Sequence, residues 1–362
     1  MNLERDLQDM REYYRSGKTK EASWRKLQLQ RLKAFLKEKE RDIYRALNQD
    51  LGKHHVEAFR DEIGVLQKSI NFALQNLKEW MSSKKAKLPA VAVLSYAEIV
   101  PEPLGLVLII SSWNFPIGLS LEPLIGAIAA GNTVVLKPSE LASASSSLLA
   151  NALPTYIDSK AIKVIEGGPA VGEHLLQQKW DKIFFTGSTR VGRMVMSAAV
   201  KHLTPITLEL GGKCPAIIDS LTSSWDKELK RIEDSIDFIN SRPKPLVIYA
   251  FTKNERLQRR MVSETSSGSI VFNDAVIQFV ADTLPFGGIG ESGIGSYHGK
   301  FSFDAFSHHK PVVRRSYLSE IWFRFPPWNN YKLQLFELVY NYDYLGMLLV
   351  ILGLKRPRKV AI

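Results

Sequence analysis

Apolar residues recur along the first eighty positions at helical spacing. Trp24, Leu27, Leu29, Leu32, Phe35 and Leu36 are separated by Lys, Arg and Gln, which is the pattern of helices with one buried stripe. Residues 9–80 are therefore expected to be helical, with their charges on a solvated face. The stretch 82–89 combines lysines with a proline and reads as a connector, followed by extended segments at 91–94 and 97–100. From Leu104 the period changes. Short, wholly apolar runs at 106–110, 133–136, 162–165 and 182–185 alternate with helix-like segments at 119–130, 143–153, 169–178 and 191–202. Strands that are apolar throughout are covered on both faces, and strand–helix alternation builds a parallel sheet. The expected fold class is α/β, with a doubly wound sheet of Rossmann type. A second α/β segment begins near Leu210, with strands expected at 246–251 and 268–273. No internal repeat or low-complexity tract interrupts this pattern.

Composition narrows the picture further. A chain of 362 residues exceeds one ordinary domain, and 45% hydrophobic with 23% charged residues are globular values. The net charge of +11 would suit nucleic acid, an acidic membrane or a phosphorylated cofactor. No nucleic-acid recognition motif accompanies it, so no nucleic-acid partner is expected. Cys214 is the single cysteine, which excludes an intramolecular disulfide and a Cys-based zinc cluster and fits a reducing compartment. The first twenty residues are rich in charge and lack an apolar core, so no secretory signal is expected and a cytoplasmic location is.

Several short segments carry candidate chemistry. In 184–192, FFTGSTRVG, a strand ends, Gly187 permits a tight turn, Ser188 offers a capping hydroxyl and Gly192 enters the next helix. Such a turn aims backbone N–H groups at a phosphate, although a capped helix start has the same appearance. Lys137 and Glu140 follow an apolar run, where parallel sheets bind ligands, and suit ribose hydroxyls. Ser139 would also cap a helix there. Asn114, in SSWNFP, has the amide needed to steady an oxyanion, or serves a turn. Glu209 lies between leucines ahead of a Gly pair, and partial burial would raise its pKa toward that of a general base. A glycine-rich loop, PFGGIGESGIG at 285–295, precedes His298, which reads as a structural histidine.

Taken in order, NFP, KPSE, FTGST, LELGGK and PFGGIGESG resemble the aldehyde dehydrogenase superfamily. The YHGKFSFD and FSH segments that follow resemble its class 3 branch, and the wording is similar to that of plant members. The resemblance runs to about Trp328 and implies oxidation of an aldehyde to a carboxylate with NAD or NADP. By the same resemblance Asn114 matches the oxyanion-hole asparagine and Glu209 the base that activates water. Trp113 would lie beside the cofactor, Lys137 and Glu140 at the adenosine ribose, and Gly187, Ser188 and Gly192 at the pyrophosphate. A homodimer is implied, and no metal.

Two family elements are absent from this sequence. The nucleophilic cysteine of a Gly-Gln-x-Cys motif has no counterpart, and neither has a later Glu-x-Phe-Gly-Pro motif that holds the nicotinamide ribose. The pattern resumes near Ile232 as though roughly a hundred residues, more than half a typical domain, were missing. The resemblance thus implies residues 1–81 as N-terminal helices, 82–103 as connector and bridging strands, and 104–209 as the dinucleotide-binding domain. Residues 210–295 form a truncated catalytic domain, and 296–362 a C-terminal segment with a bridging strand and apolar tail. Activity is expected to be impaired; the alternative is a catalytically silent dinucleotide-binding or dimer-partner variant. Cys214, at a strand, is expected to be a small buried hydrophobe. The strands at 246–251 and 268–273 are expected to lack neighbours. Finally, residues 344–354 carry no charge and precede the basic run KRPRK at 355–359. Eleven residues are too few to span a bilayer, so the segment either lies along a membrane surface or docks as a terminal helix.

Overall fold

The computed structural model describes residues 3–89, 92, 95–219, 225–316 and 322–355, with the backbone alone described at 225–232. The chain opens with helices Leu3–Arg15, Ala22–Glu38, Glu40–Leu51, His55–Ala58 and Gly64–Trp80. The expected stripe is buried at Trp24, Leu29, Leu32, Phe35 and Leu36, whereas Leu27 turns outward. Strands β1 (Lys84–Ala86) and β2 (Ser95–Pro103) follow, and the expected segment 91–94 falls largely outside the described residues.

Next come β3 (Leu106–Ile110), β4 (Thr133–Lys137), β5 (Ile162–Val164), β6 (Lys182–Gly187) and β7 (Ile206–Leu210). Helices Gly118–Ala130, Ser143–Ala152, Pro169–Leu176 and Thr189–Val200 alternate with them. The remaining strands are β8 (Ala216–Ile218), β9 (Val247–Phe251), β10 (Ser269–Phe272), β11 (Gly293–Ile294) and β12 (Ser307–Arg315).

The main sheet runs β11-β7-β6-β3-β4-β5, parallel throughout except for the antiparallel edge strand β11. Successive side chains of β3 go to opposite faces. Val107 and Ile109 join Val134 and Leu136 in a core under the N-terminal helices; Leu106, Leu108 and Ile110 join Val135, Ile183 and Phe185 in a second core. Two covered faces explain why these strands read as unbroken apolar runs. Chain direction along the sheet reverses between β3 and β6, and the carboxyl ends of strands at such a switch point form a ligand crevice.

The expectation for the later strands is corrected. β9 is flanked on both sides, by β8 and by β10, in a parallel three-stranded sheet. Helix Trp225–Asn240 covers it through Ile236 and Ile239, which pack with Ile248, Ala250, Leu257 and Met261. The break expected near Ile232 therefore lies inside a continuous helix. β8 and β10 are the edges of this sheet, and on β8 Ile218 is 81% exposed.

By its contacts the chain divides into two compact units, Met1–Met81 with Glu102–His308 and Ser82–Pro101 with His309–Ile362. The second holds most of the β1-β2-β12 sheet and the helices Asn330–Tyr340 and Tyr344–Ile351.

Candidate active site

The carboxyl ends of β3, β4, β6 and β7 open onto one cavity of about 1470 Å³, lined in part by Trp113, Asn114, Lys137, Glu140, Ser188 and Glu209. These residues are scattered over nearly a hundred positions of sequence. The switch-point topology brings them together.

Glu209 is the most unusual of them. It sits in β7 between Thr186 of β6 and Gly293 of β11, is 4% exposed, and neither carboxylate oxygen has a hydrogen-bond partner among the described residues. Burial alone pushes its pKa well above the ordinary carboxylate range. A Cβ on Gly287 would come within 3.1 Å of Oε1, so the glycine-rich loop packs directly on this carboxyl. A group held this way binds a proton strongly, as a general base requires.

Asn114 follows β3 in a turn steadied from two sides. Its Oδ1 accepts from the Ser112 hydroxyl at 2.6 Å, which leaves the amide N–H groups to donate elsewhere. Beneath the turn lies a buried ion pair, Lys53 Nζ to Glu62 Oε1 at 2.6 Å. Lys53 also donates to the Asn114 carbonyl at 3.3 Å and lies 4.1 Å from the centre of the Phe115 ring. Glu62 Oε2 accepts from the backbone N–H groups of Ile117 and Gly118, both at 2.9 Å, and so caps helix Gly118–Ala130. Burial pushes the Glu62 carboxyl up; Lys53 and the two amides only partly offset it. Sequence reading missed this pair, because a lysine and a glutamate nine positions apart carry no pattern until a π turn at Phe59–Ile63 aims the glutamate inward.

On β4, Lys137 is buried and pairs with Glu140 at 2.9 Å. Burial works against ionisation of Glu140, yet Lys137 and a backbone N–H outweigh it and hold the carboxyl below its usual range. Ser139 does not cap the next helix. Its hydroxyl accepts from Leu141 N–H within the turn, while Asp50 of a preceding helix caps Ser143–Ala152 through the amides of Ala144 and Ser145 at 2.9 and 2.8 Å.

At the end of β6, Ser188 caps helix Thr189–Val200 by accepting from Val191 N–H at 3.3 Å. The glycines serve close packing rather than a left-handed turn. A Cβ on Gly187 would lie 2.5 Å from the Phe185 ring, and one on Gly192 2.7 Å from Leu210. The helix therefore lies close on β7 with its N-terminus toward the cavity mouth, an arrangement suited to an anion.

Cys214 departs from expectation. It is exposed and lines the cavity, because the segment from Gly211 leaves the sheet before β8 begins. His298 is 1% exposed, stacked on Phe286 at 5.1 Å, and held neutral by burial, its pKa pushed down to about 3. Among the described residues, no group of three His, Cys, Asp or Glu is placed to hold a metal ion.

Residues 2–226 and 227–312 match the pattern of the aldehyde dehydrogenase family. The chain belongs to the aldehyde dehydrogenase family. Among its relatives is aldehyde dehydrogenase family 3 member F1 of Arabidopsis thaliana, 40% identical over 98% of this chain and 99% of that one. That alignment spans 477 positions against 362 residues here, so more than a hundred residues of the relative face none in this chain. The substrate-bound structure of Staphylococcus aureus AldH superposes with a TM-score of 0.86 at 30% identity, over 96% of this chain and 100% of that one. The fold also matches a mutant of Pseudomonas syringae AldA, an indole-3-acetaldehyde dehydrogenase, solved with NAD+ and IAA. There the TM-score is 0.76 at 18% identity, over 86% of this chain and 88% of that one. The two matched segments of the family pattern meet at 226–227, a few residues before the position read from sequence and within the same helix.

Proposed function

We propose that this chain is an aldehyde dehydrogenase that keeps its dinucleotide half and has lost the covalent step of aldehyde oxidation. The family's reaction takes an aldehyde to a carboxylate, with NAD or NADP accepting hydride when bound. The cavity suits that cofactor: Lys137 and Glu140 offer donor and acceptor to ribose hydroxyls, and the Ser188-capped helix end offers positive potential to a pyrophosphate. Trp113, half exposed in the cavity lining, suits a place beside the cofactor. Asn114 would donate to a developing oxyanion and Glu209 would take a proton from water.

One observation carries the reading that the covalent step is lost. The only thiol is Cys214, on the exposed segment after β7, and nothing else in the sequence replaces a cysteine nucleophile. Losing such a nucleophile can cost about a millionfold in other covalent enzymes. Purified chain mixed with NAD or NADP and a medium-chain or aromatic aldehyde should give no reduced cofactor. Turnover at ordinary enzyme rates would refute the proposal, and its loss in Cys214→Ala would identify the substitute. Calorimetry should find AMP binding nearly as tightly as NAD, because the motif for the nicotinamide ribose is absent. A large preference for NAD would contradict this.

Two surfaces support proposals about partners. β12 is an edge strand of its sheet, which suits pairing with a second copy in a homodimer; light scattering on the purified chain tests this. Helix Tyr344–Ile351 leaves Leu345, Leu348, Ile351 and the following Leu352 exposed, ahead of the basic run at 355–359 whose last four residues lie outside the described set. That pairing suits peripheral contact with an anionic membrane by an otherwise cytoplasmic protein, and no helix among the described residues is long and apolar enough to cross one. Sedimentation with anionic but not zwitterionic vesicles is the expected result.

A further inference from the structure

The buried polar atoms without a partner are not scattered at random. Among the described residues they include both oxygens of Glu209, the Tyr297 hydroxyl, Oε2 of Glu122 and Nε2 of His298, and these four side chains are neighbours in the interior. The charges of Glu209 and Glu122 both reach the Tyr297 phenol, which is fully buried and pushed well above its ordinary pKa first by that burial. Glu122, also fully buried, is hydrogen-bonded by Ser69, whose hydroxyl lies 3.4 Å from Asp282 Oδ1. Asp282 pairs with Lys68 at 3.0 Å, and the Lys68 side chain is 40% exposed. Buried polar groups in folded proteins hold ordered water or one another, since an isolated one costs desolvation without return. A file of such groups from an active-site carboxyl to a surface ion pair is what proton movement through an interior requires.

We propose that Tyr297, Glu122 and Ser69, with intervening water, form a proton path between Glu209 and the solvent-facing Lys68–Asp282 pair. The inference rests on reading Glu209 as the site's base. A base that removes a proton from water must lose it again, and although Glu209 borders the cavity both its carboxylate oxygens are buried. The path moves one proton by relay. Glu209 passes its proton to water or the Tyr297 oxygen, the phenol passes its own to Glu122, Glu122 passes one through the Ser69 hydroxyl to Asp282, and Asp282 releases it to solvent beside Lys68, so no bond beyond O–H changes. Burial pushes Glu122 up to about 8, so near neutral pH it exchanges protons readily. His298 also faces Lys68 and bonds the Phe279 backbone, but it is held neutral and lies beside the relay rather than within it.

The test needs no turnover. The full chain, carboxyl-labelled with 13C at glutamate, is mixed rapidly into heavy water, and the infrared band of the protonated Glu209 carboxyl, identified by its loss in Glu209→Gln, reports proton-for-deuteron exchange. Positioned proton-transfer groups contribute on the order of a hundredfold, so Tyr297→Phe and Glu122→Gln should each slow exchange by about that factor. Both variants keep the side-chain volume, and circular dichroism confirms that they fold; Glu122→Asp should restore part of the rate. Unchanged exchange in both folded variants would overturn the path, with protons entering through the cavity and Glu209 still the base. No band lost in Glu209→Gln would instead overturn the reading of Glu209, and the path with it.

Discussion

At Lys53 and Glu62 two charges sit out of water, 8% and 0% exposed, because each satisfies more than the other. The glutamate caps a helix start and the lysine holds the Asn114 carbonyl, so removing either partner strands a buried charge. Lys53→Met should cost about 3–5 kcal/mol of stability, and the double change Lys53→Met with Glu62→Leu much less, because it strands no charge. Equal losses in urea titrations of the two would show that the pair contributes packing alone. Two other buried groups contribute to the pH dependence, Glu122 in the same direction as the raised carboxyls of Glu209 and Glu62. Glu122, raised from 4.5 to about 8, holds its proton in the folded state after the unfolded chain has released it, so stability falls as pH rises between those values. His298, lowered from 6.5 to about 3, is neutral when folded and charged when unfolded, so stability falls as pH drops between those values. Glu122→Gln should reduce the slope of the high-pH limb of a plot of melting temperature against pH, which Glu209 and Glu62 share, and leave the acid limb. An unchanged slope would assign that limb to the other carboxyls.

The elements around the seam behave differently from what the missing residues suggest. Helix Trp225–Asn240 runs through the 226–227 junction, and its later half buries Ile236 and Ile239 against β9. Two helical segments of the same period can continue as one helix without a loop to close. Protease should therefore attack the exposed segment between β7 and β8 before the later half of this helix. Trypsin is expected to cut first after Lys213; Arg242 and Lys244 are also exposed, but each precedes a proline that blocks cleavage. First cleavage at Lys227 or Lys230, read by mass spectrometry, would show that the helix frays at the junction. The free edge of β8, with Ile218 exposed, is the place for aggregation to begin. Ile218→Lys should raise solubility without shifting the melting temperature.

Across the whole molecule, burial is unevenly shared. The six-stranded sheet has a core on each face, whereas the β8-β9-β10 sheet rests on a cluster of six buried residues. Local stability follows buried apolar contact, so unfolding should occur in steps, the small sheet first. Hydrogen exchange should be slowest in β3, β4 and β6 and faster in β8 to β10. A single calorimetric transition with uniform protection would show that the two sheets unfold together.

The sequence by itself determined the family, the parallel sheet and the choice of Asn114, Lys137, Glu140, Ser188 and Glu209 as candidate residues, because strand period and turn chemistry are local and survive in one dimension. The absence of a second cysteine was equally plain there. Only the tertiary structure decided that Gly187 and Gly192 serve close packing, that Asp50 rather than Ser139 caps a helix, and that Cys214 faces the cavity. The same holds for β9, which found neighbours on both sides. Each depends on what a distant segment places beside a residue: the Phe185 ring against a glycine, an aspartate ninety-four positions away at a helix start, a helix continuing across a junction. The ion pair under Asn114 and the buried acids beside Tyr297 belong to that class as well, since charge becomes chemically unusual through burial, and burial is a property of the packed molecule.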